Sequence, residues 1–480
     1  MQASYTIKPM LKALMLGLSL SMLASCTMLG PNYQRPEAKD ISLPEQYRLA
    51  SDSSAVQTTN AWWTLYQDAQ LNALVEQAQL NNTDIALAVA RIEEADAAMR
   101  EVGAALLPSV DLTTSAVRNQ VTEAGIFPVF GVNPRNTFKF GLNSSVELDF
   151  WGKLRRAKEA ARANFLATQF AKDTVMWSLS SLVANNYFVI RSIDSQLKVN
   201  QDNQKISEES LALTQRRLAG GVVSIIDVHQ AELALTNLKT QRVELLRLRA
   251  LGEHQLAVLT GQLSSTVAEA ELLALPIPPA PPAGLPSGLM EARPDVRQSE
   301  QALVAANANI GLAKAALYPS ISLTGVLGGE SVELGDLLKS AARVWSLGVD
   351  LYLPIFNSGK LDARVDQATA KQKQALANYQ GSVQTAFKEV NDALVNVRQY
   401  KEVETLALAK QDTAKKLLDV SQNRYKAGYS AYLEVLDAQR SYYEATQSFV
   451  LSRQNVLTAS VDLFKALGGG WQQPAPVAVK

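Results

Sequence analysis

The chain holds few side chains able to make or break bonds. It has two histidines, His229 and His254, and one cysteine, Cys26. Counting alone therefore excludes a Cys/His metal cluster and an internal disulfide. No glycine-rich phosphate loop and no nucleophile–base motif occurs, so nothing supports nucleotide-driven work or covalent catalysis. An enzyme is the least expected class, and no cofactor is expected beyond acyl groups attached to the chain itself. The remaining chemistry is electrostatic and sits in two similar stretches, Arg217 to Asp227 and Arg424 to Asp437. In the second, Leu433 and Asp437 are spaced to share one helical face.

Cys26 has a different use. Lys8 and Lys12 precede an apolar run over 13–23, which is followed by Ala24, Ser25 and Cys26. This pattern resembles a lipoprotein leader: a signal peptide over 1–25, cleavage before Cys26, and an N-acylated, diacylglycerol-bearing cysteine as the new N-terminus. Two or more acyl chains anchor a protein stably where one does not. Thr27 follows, with no aspartate at that place, which by resemblance to sorted lipoproteins favours the outer membrane.

The 480 residues carry 46 basic and 46 acidic side chains. Such a balance argues against a nucleic-acid partner, which would call for a basic excess or stripe. Past the leader no apolar run reaches 18 residues, so a membrane crossing would need a closed β-barrel.

The elements that must position these residues come in two copies. Ala104–Val110 returns as Ala315–Ile321 at an offset of 211, and Gly152-Lys153-Leu154 returns as Gly359-Lys360-Leu361 at 207. Arg217, Gly221, Asp227 and Val228 match Arg424, Gly428, Glu434 and Val435, and Gly261 matches Gly468. The spacing predicts a lipidated extended segment over 26–60, a first repeat over 61–273, a Pro-rich linker over 274–288, a second repeat over 289–469 and a tail over 470–480. Each repeat reads as a helix, two strands and a long helical hairpin. Strands are expected at about 107–118 and 138–150, then 318–327 and 345–353. Hairpin tips are expected at about 217–226 and 424–433, with Arg217, Gly220, Gly221 and Gly428 in the turns. Strict alternation over 138–150 fits a barrel strand, and a half-buried soluble sheet alternates in the same way. No proline interrupts 153–216 or 360–423, and roughly 60 helical residues span on the order of 90 Å. Helices that long must pack sideways against partners.

Four strands cannot close a membrane barrel, which starts at about eight. The chain is therefore expected to assemble, and two, three or four copies all remain open on strand count.

The residues also resemble the TolC-like outer-membrane efflux proteins, in their lipoprotein branch. The match runs over nearly the whole mature chain: Gly30–Pro36, Trp62-Trp63, Arg293–Arg297 through Ile310-Gly311 to Pro319–Ile321, and Arg424–Gly428 through Val435–Arg440. The resemblance implies an α+β membrane protein. It would be a homotrimer with a 12-stranded β-barrel in the outer membrane and an α-helical barrel in the periplasm. It further implies an exit duct working with a periplasmic adaptor and an inner-membrane pump of the resistance-nodulation-division type. Leu433 and Asp437 would then form threefold rings at a periplasmic gate. Arg424 and Asp227 would form a latch between neighbouring helices, where Tyr425 hydrogen-bonds. Ser430 departs from the arginine that some members carry there. A duct for protein secretion and a structural periplasmic lipoprotein are the competing readings.

Overall fold

A computed structural model describes residues 28–36, 44, 47, 61–122, 124, 132–280 and 288–469. Cys26, the expected leader 1–25 and the expected tail 470–480 lie outside the described residues, as does most of the segment 26–60 and part of the linker 274–288. The main elements are α1 (Ala69–Asn81), α2 (Thr83–Ala104), β1 (Ser109–Asn119), β2 (Arg135–Glu147), α3 (Lys153–Ala219), α4 (Ile225–Leu259), α5 (Pro294–Ala315), β3 (Ser320–Ser331), β4 (Arg343–Tyr352), α6 (Lys360–Lys426) and α7 (Tyr432–Ala466). Helices α3 and α6 have 67 residues each, and α4 and α7 have 35 each. The duplication is thus repeated in length as well as in order.

The chain divides into two compact units, 1–35 with 91–168 and 299–379, and 36–90 with 169–298 and 380–480. The first holds a single antiparallel sheet in the order β1-β2-β3-β4, with the two repeats joined through β2 and β3. Prolines set several strand limits. β1 and β3 begin just after Pro108 and Pro319, which have no N–H to give a ladder, and Pro354 follows the end of β4. The expected strand 138–150 instead spans 135–147. Leu148 N–H still donates to Ile321 O at 2.8 Å, after which the chain leaves β3, and Gly152 takes φ +76 to start α3. β3 runs four residues beyond its expected end, to Ser331.

Register makes the sheet two-sided. Leu112 pairs with Leu142, Leu142 with Leu327, and Leu327 with Trp345, so one face is apolar from edge to edge. Trp345, Leu347, Val349 and Leu351 on this face are 78, 73, 67 and 64% exposed, so nothing among the described residues covers them. The other face is polar and bonded across strands. Asn143 Nδ2 donates to Thr113 Oγ1 at 2.8 Å, Thr324 Oγ1 donates to Asp350 Oδ2 at 3.1 Å, and Lys139 pairs with Glu330 at 3.0 Å. Among the described residues β1 and β4 are edge strands with unpaired outer ladders.

An N-terminal strap crosses this unit. The Arg156 guanidinium, 1% exposed, donates to Leu29 O, Gly30 O and Asn32 Oδ1 and pairs with Glu159 at 2.7 Å. Gly30 is at φ +88, and a Cβ there would stand 2.5 Å from Gly311 Cα. Both positions need glycine for close backbone approach.

The second unit is built on a core of Trp62, Tyr66, Leu71 and Val75 packed with Tyr187, Phe188, Leu256, Leu457 and Phe464. Trp62 stacks on Phe464 at 5.8 Å, and the Tyr66 hydroxyl meets Ser460 Oγ at 2.6 Å. Asp68 caps α1 by accepting from Gln70 and Leu71 N–H, accepts from the Tyr187 hydroxyl, and pairs with Arg191 at 3.2 Å. Burial acts to raise the Asp68 carboxyl. The hydrogen bonds and the Arg191 charge outweigh it and hold the group below its ordinary range. Each repeat closes in the same way: Asn82 Nδ2 donates to Leu259 O, and Arg293 Nη1 donates to Ala466 O. Among the described residues no helix is long and apolar enough to cross a membrane.

Candidate functional site at the hairpin tips

The sequence-selected charged residues gather at the two turns of the second unit. Both long helices end in the same capping geometry. Gly221 and Gly428 take φ +71 and +81. Val222 N–H donates to Arg217 O, and Gly221 N–H to Leu218 O; Tyr429 and Gly428 repeat the pattern onto Arg424 and Tyr425. This six-to-one and five-to-two pairing, with glycine in the left-handed region, is the Schellman motif. The connecting turns are shorter than the expected 217–226 and 424–433. Arg217, Arg424 and Tyr425 are therefore helical, because the capping bonds hold their carbonyls in the last turn. Gly220, Gly221 and Gly428 occupy the turns themselves.

The apolar seat of the tips is Ala231, Tyr425, Tyr432 and Val435, joined by Leu211 and Leu436. It draws on both hairpins. Tyr425 is 5% exposed and lies 5.6 Å from the Tyr432 ring. Burial, then the neighbouring Tyr425 and the Asp227 charge, push the Tyr432 hydroxyl up to about 12. The buried Tyr425 hydroxyl has no hydrogen-bond partner among the described residues.

Charges at the tips pair differently from the expected latch. Arg424 Nε faces Glu434 at 3.9 Å, inside its own hairpin. Asp227 forms no ion pair among the described residues and lies in the first turn of α4, close enough to Tyr432 to act on its hydroxyl. Among the described residues of one chain no ion pair joins Arg424 to Asp227. Arg217 instead reaches across: its guanidinium lies 4.3 Å over the Tyr425 ring, and Nη2 donates to Lys426 O at 3.1 Å.

Leu433 and Asp437 do share a face of α7 and line one groove of about 420 Å³ with Leu233, Gln230 and Tyr443. Asp437 is not bare. Arg440 Nη2 lies 2.9 Å from its Oδ1, with Glu444 a further 3.9 Å contact of the same guanidinium. Residue spacing missed the reach of Arg217, since nothing local to a helix end says which neighbour its guanidinium will meet. Arg440 was legible, three residues after Asp437 on a helix. His229 stands 3.2 Å from Glu232 on the exposed side of α4. Among the described residues no cluster of three or more potential metal ligands occurs.

The geometry is that of paired helical tips and a one-sided sheet, and known proteins share it. The family model described as outer membrane efflux protein matches residues 74–262 and 285–469, one match per repeat. The chain is 33% identical over 473 residues to the probable efflux pump outer membrane protein TtgC of Pseudomonas putida, covering 96% of both chains. It is also 33% identical over 461 residues to the cation efflux system protein CusC of Escherichia coli, covering 94% of this chain and 97% of that one. Among solved structures, the CmeC outer membrane channel of Campylobacter jejuni superposes with TM-score 0.86 at 27% identity, covering 94% and 96% of the two chains. The open state of the MtrE outer membrane channel of Neisseria gonorrhoeae gives 0.84 at 30% identity, covering 93% and 99%. With a model match across both repeats and full-length relatives at this identity, the chain belongs to the outer membrane efflux protein family, whose characterised members here are channels rather than enzymes.

Proposed function

We propose that this protein is the exit duct of a tripartite efflux system, conducting its cargo passively from a periplasmic adaptor and an inner-membrane pump to the exterior. The observation that carries the proposal is the sheet. Its apolar face is exposed from edge to edge, its other face is polar, and both edge strands are unpaired. An open edge is not tolerated in lipid, so copies must pair edge to edge. Three copies give a 12-stranded barrel with the polar face inward, and the same three copies bring their helical hairpins together as a periplasmic tunnel. Acylation of Cys26 would add a lipid anchor at the outer membrane.

At the tips, Leu433 is the apolar residue able to close a threefold opening against water, and Asp437 with Arg440 lines the approach to it. Asp227, Arg424 and Tyr425 lie at the level where a neighbouring copy or an adaptor would meet the hairpins. Energy comes from the partner pump, taken here to be of the resistance-nodulation-division type. Cargo selection would rest with that pump.

Electron microscopy of the detergent-purified, lipidated protein tests the assembly. A threefold particle with a helical shaft on the order of 100 Å is expected. A monomer or a compact particle would remove the barrel and favour a structural periplasmic lipoprotein. Co-purification with an ATP-driven exporter in place of a resistance-nodulation-division pump would make it a secretion duct.

A further inference from the structure

We infer that Arg217 is the positioning residue that holds the second hairpin tip in its resting place against the first, acting through the face of the Tyr425 ring and the Lys426 carbonyl. The inference rests on the duct reading and deepens it, because it names the contact that a moving tip has to break.

The two tips share an arginine, a glycine and a valine at matched places and the same capping geometry, yet their arginines act differently. Arg424 stays within its own hairpin, facing Glu434 at 3.9 Å with both side chains 54% exposed. Arg217 crosses to the other hairpin, with its guanidinium 4.3 Å over the Tyr425 ring and its Nη2 bonded to Lys426 O at 3.1 Å. A planar guanidinium can stack face-on while donating in its own plane, which an ammonium cannot do. The Arg217 carbonyl is held by Val222 N–H, so the side chain springs from a fixed point. Its target is equally fixed. Tyr425 is wedged beside Tyr432, Val435 and Ala231, so α3 is tied through one ring to the end of α6, the start of α7 and α4.

The ring face, not the hydroxyl, is what the chain uses. The Tyr425 hydroxyl is buried and without a partner among the described residues. A hydroxyl latch and a ring-face latch therefore make opposite predictions for Tyr425→Phe.

A partly exposed cation–π contact shifts a two-state equilibrium about two- to five-fold, and concerted movement of several copies multiplies that factor. The test is the open fraction and conductance of the purified wild-type assembly and its variants in planar bilayers, with thermal melting of the assembly followed in parallel. Arg217→Ala and Tyr425→Leu are expected to raise the open fraction at least about two-fold. Arg217→Lys is expected not to restore it, Arg424→Ala to change it less than Arg217→Ala does, and Tyr425→Phe to match the wild type. Melting of Arg217→Ala should stay at the wild-type value, which separates positioning from a general loss of packing.

Wild-type conductance in Arg217→Ala overturns the inference while leaving the duct standing. So does leak in Tyr425→Phe equal to that in Tyr425→Leu, which would give the latch to the hydroxyl. A wild-type protein that forms no channel at all overturns the duct reading, and this inference with it.

Discussion

At the residue scale, the carboxylate expected to ring the opening carries its own counter-charge. Asp437 meets Arg440 at 2.9 Å, and both side chains are mostly exposed. Such a pair contributes only about 0–1 kcal/mol to stability. Its consequence is the sign of the field seen by a passing ion, since three bare carboxylates around an axis would favour cations strongly. Arg440→Ala is expected to shift the reversal potential in a salt gradient toward cation selectivity, and Asp437→Asn to shift it the other way. Both shifts should shrink in high salt, as the screening length falls from about 10 Å at 0.1 M to about 3 Å at 1 M. Equal reversal potentials in wild type and Arg440→Ala at low salt would make the pair ordinary solvated surface. In the proposed duct, closure would fall to Leu433, whose apolar side chain salt does not screen.

At the scale of elements, what could be read from the sequence was what is local or repeated. The 67-residue helices follow from proline-free stretches rich in good helix formers, and their ends follow from Gly221 and Gly428 at matched places. The strands showed as period-two runs, and the prolines beside them trimmed the ends. Contacts distant in sequence were not legible. Nothing near Arg156 announces that its guanidinium will be spent on the carbonyls of Leu29 and Gly30, more than 120 residues away. The same holds for Arg217 over Tyr425, where a pseudo-symmetric reading would have given both arginines one role. The Gly30–Gly311 crossing yields a direct expectation. An added Cβ at Gly311 would stand 2.5 Å from Leu29 O and 2.9 Å from the Arg156 side chain, so the strap has to lift. Gly311→Ala should therefore speed limited proteolysis of the segment around residues 28–36, while the helical bulk stays resistant. A cleavage rate equal to wild type would mean that the strap seats without this close approach.

At the scale of the whole molecule, the sheet of a single copy leaves an apolar face exposed and two edges without a partner strand among the described residues. Soluble sheets that leave a broad apolar face in water and two ladders unpaired invite aggregation, and this sheet does both. The polar face, in contrast, is already satisfied by Asn143–Thr113, Thr324–Asp350 and Lys139–Glu330 contacts. A barrel resolves both liabilities at once, with lipid against the apolar face and neighbouring copies against the edges. The two faces should then respond oppositely to one substitution placed on adjacent residues of β4. Leu347→Arg puts a charge on the lipid side near the middle of the strand, at a cost of about 2–4 kcal/mol in each copy. Ser346→Arg puts the same charge on the polar side, where water and Val326 are its neighbours. Heat-resistant oligomer recovered from outer membranes should be largely lost in Leu347→Arg. It should be retained in Ser346→Arg, with a lowered cation preference in bilayers. Equal recovery of the two variants would mean that the apolar face does not meet lipid, since a soluble half-buried sheet packed on a partner protein is the arrangement in which depth in a membrane has no bearing on the cost.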